Sequence, residues 1–126
     1  MRTPNGEYPE YHSSADNLSL LRSESLAHSL AVLRRIVAVI EGDAVYRSCN
    51  QKGEPQLGRR GLYAAMGGQR SADYDQMALL WVLNLADGRH SLLGMAERAG
   101  VPFATLRAAA DALLAVDLLE PAPVQR

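Results

Sequence analysis

Residues 77–114, MALLWVLNLADGRHSLLGMAERAGVPFATLRAAADALL, decide the fold. From Gln76 to Ala86 the apolar residues recur at helical spacing, and the reading puts Met77, Leu80 and Trp81, with Leu83 and Leu85 less strictly, on one broad apolar face. Asp87-Gly88 then stops the helix, with glycine where a helix end favours positive φ. Ser91 stands before a short run, Leu92, Leu93, Met95, Ala96 and Ala99, closed by Gly100, as in an N-capped helix of two or three turns. Pro102 suits the first turn of a third helix, in which Leu106, Ala109, Ala110, Leu113 and Leu114 step by three and four. An extended Leu118-Leu119 pair follows. Helix, short helix, tight turn, long helix and strand is the order of a winged helix-turn-helix, here expected over 74–120 with Trp81 enclosed against the third helix.

Upstream, Asn50 to Gly68 is dense in glycine and carries Arg59-Arg60 between Gly58 and Gly61. It lacks the complete spacing of a phosphate-binding loop and reads instead as a docking connector, pinned to a core by Leu57, Leu62 and Tyr63. Ala44 to Ser48 is a short β-prone run. Before it, Ser23 to Glu41 reads as a helix with Leu26, Leu30, Leu33, Val37 and Ile40 along one side and Val32, Ile36 and Val39 widening the stripe. That much apolar surface wants a sheet or several helices to cover it, and the rest of the chain offers too little. Residues 1–17 are rich in turn formers yet carry Tyr8, Tyr11 and His12, the composition of an ordered functional loop.

With 126 residues, 48% of them hydrophobic, the chain has room for one small domain and little more. No apolar run is long enough for a membrane span and no signal peptide is evident, so a cytoplasmic location is expected. Cys49, the single cysteine, excludes an internal disulfide and, with no activating neighbour in sequence, reads as a packing residue. The net charge of -1 provides no overall attraction for nucleic acid or anionic lipid.

Three blocks in order, PEYHSSADN at 9–17, GEPQLGRRGLY at 53–63 and the 77–114 segment, resemble the C-terminal part of the aminopeptidase-like family associated with polysaccharide biosynthesis. Such proteins join a zinc aminopeptidase-type domain to a winged helix. The resemblance implies a mainly α chain with short β segments, in which a winged helix-turn-helix is preceded by a loop and long helix left from an α/β zinc-peptidase-type domain. Residues 1–43 would be the remnant of that domain, 44–69 a connector with a short strand, and 70–126 the winged helix, the large N-terminal part being absent. In the wider clan of zinc aminopeptidases a Tyr-His-Thr/Ser segment supplies a histidine ligand, which implies His12 as a metal ligand with Tyr11 and Asp16 beside it.

One ligand is not a site, since a catalytic zinc takes about three protein ligands plus water. His28 and His90 are dispersed and no HExxH motif is present. No catalytic or cofactor-binding residue is therefore assigned. Zinc belongs to the intact family, and none is expected for this chain alone. The partner expected is the missing peptidase-type domain, or a second copy through the helix at 23–41.

The competing reading, a winged-helix DNA-binding regulator, meets three objections. Residues 70–126 hold five arginines against seven carboxylates, and the third helix offers only Thr105, Arg107 and Asp111 among alanines. The wing is also expected to be almost absent. The module thus reads as a packing or protein-interaction unit that contacts neither nucleic acid nor membrane.

Overall fold

The computed structural model describes residues 3–4, 6–62 and 76–123, which fall into two compact units, 1–41 and 42–126. In the first unit a chain of turns leads through a 3-10 turn at Leu18–Leu20 into helix α1, Ser23–Gly42. Asn17 starts the 3-10 turn by accepting a hydrogen bond from the Ser19 amide at 2.9 Å. No residue of α1 is buried.

The second unit contains β1 (Val45–Ser48), α2 (Gln76–Leu85), β2 (Asp87–Ser91), α3 (Leu92–Ala99), α4 (Phe103–Leu114) and β3 (Leu119–Pro121). The strands form one antiparallel sheet in the order β2-β1-β3. Arg47 lies opposite Asp87 on one side and Glu120 on the other, and the β1–β2 register shifts between Val45 and Arg47. Pro121, which has no amide to donate, sits on the outer strand where none is needed. The chain is mainly α with a small sheet, arranged as a winged helix-turn-helix.

The turn signals between α3 and α4 act as the sequence indicates. Ser91 Oγ accepts from the Gly94 amide at 3.2 Å, and Gly100 ends α3 at φ 65°, in the left-handed region where a side chain would be strained. Two further donors at the start of α3 are met from far away in sequence: Leu92 N–H donates to Ala44 O at 2.9 Å and Leu93 N–H to Asp43 Oδ1 at 2.8 Å. The residues just before β1 are thereby fixed to the helix-turn-helix, and the α3 N-terminus holds its own carboxylate.

The core lies between α2, α3, α4 and the sheet, with Leu79, Val82, Leu92, Met95, Leu106 and Leu113 sealed from solvent. Leu57 and Leu62 reach it from the connector, bracketing a turn in which the Leu62 amide donates to Leu57 O at 3.0 Å. Tyr63, the Gly67-Gly68 pair and Tyr74 lie outside the described residues.

Four expectations are corrected. Helix α2 buries Ala78, Leu79, Val82 and Leu85, while Met77 and Leu80 are 59% and 42% exposed and Trp81 is only half-buried. The helix is apolar on nearly every side, so periodicity could not choose between two faces, and packing against α4 took the slimmer one. Residues 87–91 continue beyond a turn into a strand, so the sheet has a member that the polar run DGRHS conceals. The sheet around the almost absent wing is therefore fuller than expected, although among the described residues only β3 follows α4. Cys49 is exposed, because Ser48 takes the last inward position of β1.

Candidate functional site

The loop before α1 is braced by its own side chains. Tyr8 donates its phenol proton to Asp16 Oδ2 at 3.0 Å, and that carboxylate holds the Tyr8 hydroxyl above its ordinary pKa. The Tyr8 and Tyr11 rings meet edge to face at 5.4 Å, and Tyr11 meets the His12 imidazole at 4.1 Å. Ser13 Oγ donates to Glu10 O at 2.7 Å and accepts from the Ala15 amide at 3.2 Å, closing the turn behind the histidine. His12 itself is exposed with φ 56°, a left-handed conformation that histidine tolerates better than most residues but that is held by its surroundings.

Among the described residues no group of three or more His, Cys, Asp or Glu side chains is placed to hold an ion. Asp16 is engaged by Tyr8, which leaves His12 as one imidazole on a surface loop. His28 stands exposed on α1. His90 is in the second unit on β2, where its Nδ1 lies 3.1 Å from Asp87 Oδ2. Asp87 has other work: it accepts from the amides of Arg89 at 2.8 Å and His90 at 3.1 Å, and these backbone donors hold its carboxyl down at about 2. A structural role in the α2–β2 corner accounts for both residues.

Helix α4 occupies the position of a recognition helix. Ala104, Asp111 and Ala115 are exposed, with Thr105, Ala108 and Ala112 half-buried. Arg107, its single cation, is already used. Its Nε donates to both Asp111 oxygens at 3.0 and 3.1 Å, and its guanidinium donates to Gly42 O at 2.8 Å. The last of these places a positive charge on the final carbonyl of α1, a favourable arrangement at a helix C-terminus. Phe103 closes over the same glycine, where a Cβ would stand 3.2 Å from the ring.

The connector arginines are likewise divided between structure and solvent. Arg60 donates to Pro55 O at 3.2 Å and to Val116 O at 2.8 Å, tying the Gln56–Gly61 turn to the end of the helical module. The other surface of note is apolar. Met77, Leu80, Trp81 and Asn84 line an open depression of about 380 Å³ on α2.

Among families of known proteins, a winged helix-turn-helix family matches residues 44–121. The chain belongs to this winged helix-turn-helix family. Residues 1–43 match a domain of unknown function (DUF4910). A Clostridium acetobutylicum protein, provisionally named for polysaccharide biosynthesis with an aminopeptidase-like domain, is 43% identical over 110 residues, 87% of this chain and 25% of its own length. The crystal structure of a provisionally named peptidase from the same organism superposes with a TM-score of 0.77 at 38% identity, covering 90% of this chain and 24% of that one. The winged helix-turn-helix chain thus spans about a quarter of the length of these relatives. No described helix is long and apolar enough to cross a membrane.

Sequence reasoning singled out His12 and missed the Tyr8–Asp16 bond, which spans eight residues of irregular chain and leaves no periodic trace. The Arg107–Asp111 pair was open to it as an i,i+4 spacing, whereas the bond from Arg107 to Gly42, 65 residues away, was not.

Proposed function

We propose that this winged helix-turn-helix chain is the C-terminal part of an aminopeptidase-like protein, in which the first unit supplies His12 to a zinc site completed by a peptidase-type domain. The winged helix serves as a packing or protein-interaction module of that protein. The similarity to aminopeptidase-like relatives over most of the chain supports the first part. The observation that carries the second is the face of α4, where alanines replace base-reading side chains and the one arginine is committed to Asp111 and Gly42. A role in polysaccharide biosynthesis and a cytoplasmic location follow from the same reading, the free thiol of Cys49 being at home in a reducing compartment.

By itself the chain is not a peptidase. Among the described residues His12 belongs to no group of three or more metal-ligating side chains, whereas zinc hydrolysis takes about three protein ligands and a carboxylate base. When bound in the completed site, zinc would polarise a carbonyl and acidify water; this chain's own part is to hold one imidazole outward on a braced loop. The expected result with aminoacyl anilides and added Zn²⁺ is no hydrolysis above background, for the wild type and for His12→Ala alike. Clear activity in the wild type that disappears in His12→Ala would refute the proposal.

A further inference from the structure

The loop before α1 carries a run of side-chain contacts that ends at an imidazole. Tyr8 donates its phenol proton to Asp16 Oδ2 at 3.0 Å, the Tyr8 and Tyr11 rings meet at 5.4 Å with 76° between their planes, and Tyr11 meets His12 at 4.1 Å and 72°. Both ring contacts are edge to face, an arrangement that favours an angle as well as a distance. The backbone turns have their own closures. Tyr11 N–H donates to Tyr8 O at 3.1 Å, Ser13 Oγ bridges Glu10 O and the Ala15 amide, and Asn17 Nδ2 donates to Ser14 O at 3.2 Å. The Tyr8–Asp16 bond therefore has no turn of its own to close, and what it fixes is the Tyr8 ring.

We propose that Tyr8 and Asp16 are positioning residues for His12, acting through the Tyr11 ring to hold the imidazole in one orientation. The purpose of that orientation, presenting a ligand nitrogen to zinc, rests on the function proposed above; the contacts themselves do not. His12 is exposed, and an exposed side chain ordinarily exchanges rotamers within nanoseconds. Metal-bound imidazoles are commonly steadied by a hydrogen bond from their second nitrogen to a carboxylate or carbonyl. Among the described residues His12 has no such bond, and the Tyr11 ring takes that place. Asp16 then steadies the imidazole from the far end of two aromatic contacts without touching it.

Proton NMR of the 126-residue chain without added metal tests this. The wild type is expected to show nuclear Overhauser contacts between the Tyr11 and His12 rings, with His12 ring resonances displaced from their values in the denatured chain. Tyr8→Phe keeps the ring and removes only the bond. It should weaken the preference for the held orientation about two- to tenfold, the range for one hydrogen bond, and move the His12 resonances toward the denatured values while the amide resonances of 13–17 stay in place. Asp16→Asn retains an oxygen acceptor and should preserve the wild-type His12 resonances, whereas Asp16→Ala should reproduce Tyr8→Phe. Denatured-like His12 resonances in the wild type, or resonances that survive Tyr8→Phe unchanged, would overturn the proposal. So would loss of the 13–17 amide pattern in Tyr8→Phe, which would make the bond a brace for the whole loop. The readout is free of metal, so a His12 that binds no zinc in the completed protein would leave this result standing, and failure here would leave zinc with an unbraced ligand.

Discussion

Replacing Leu106 by alanine is expected to lower the stability of the winged module by about 2–5 kcal/mol, the range for truncating a fully buried leucine. Leu106 has no exposed surface and stands on α4 within the cluster formed by α2, α3 and the sheet. The truncation forfeits transfer energy and also leaves a cavity that packed neighbours close only in part. Trp81→Ala is the informative comparison. Its ring is larger, yet it is half-buried beside an open depression, so its loss should cost only about 1–2 kcal/mol. Urea unfolding followed by circular dichroism measures both. If Trp81→Ala proved the more damaging of the two, the assignment of the buried face of α2 would be wrong.

Gly88→Val is expected to cost about 1–3 kcal/mol through backbone strain at a position with φ +83°, which a β-branched residue does not adopt readily. Crowding adds to it, because a Cβ there would stand 3.1 Å from the Arg47 guanidinium lying across the strand. That guanidinium ends a flexible side chain and can move, so the dihedral angle is the larger contribution. Arg47→Ala in the same background should therefore restore only a minor part of the loss. Full restoration, measured by the same unfolding experiment, would show that crowding and not conformation sets the requirement for glycine.

What could be read from sequence was what local chemistry dictates. Ser91 and Gly100 mark the ends of α3 because an unpaired amide and a left-handed backbone each select a residue type. Leu106, Ala109, Ala110 and Leu113 were legible because α4 has a polar side to contrast with its apolar one. Helix α2 lacks that contrast, so its inward face was settled only by the elements around it. Strand β2 is held by backbone pairing with β1 around a buried glycine, and nothing in its own side chains announces a strand. Within the site, His12 was found through its neighbours in sequence. The brace between Tyr8 and Asp16 and the commitment of Arg107 to Gly42 depend on how the chain turns, and became visible only in three dimensions.

The claim that the helix-turn-helix packs against protein and does not read DNA rests on charge and on the occupied arginine of α4. Affinity for duplex DNA comes largely from neutralising phosphates, and a module short of free cations on its recognition helix has little to offer them. Fluorescence anisotropy of labelled duplexes, titrated with the 126-residue chain at low salt, tests this most directly. The account predicts no saturable rise in anisotropy with random or selected sequences. Binding tighter than about 1 µM that falls steeply with added salt would contradict it and restore the winged helix as a DNA-binding module.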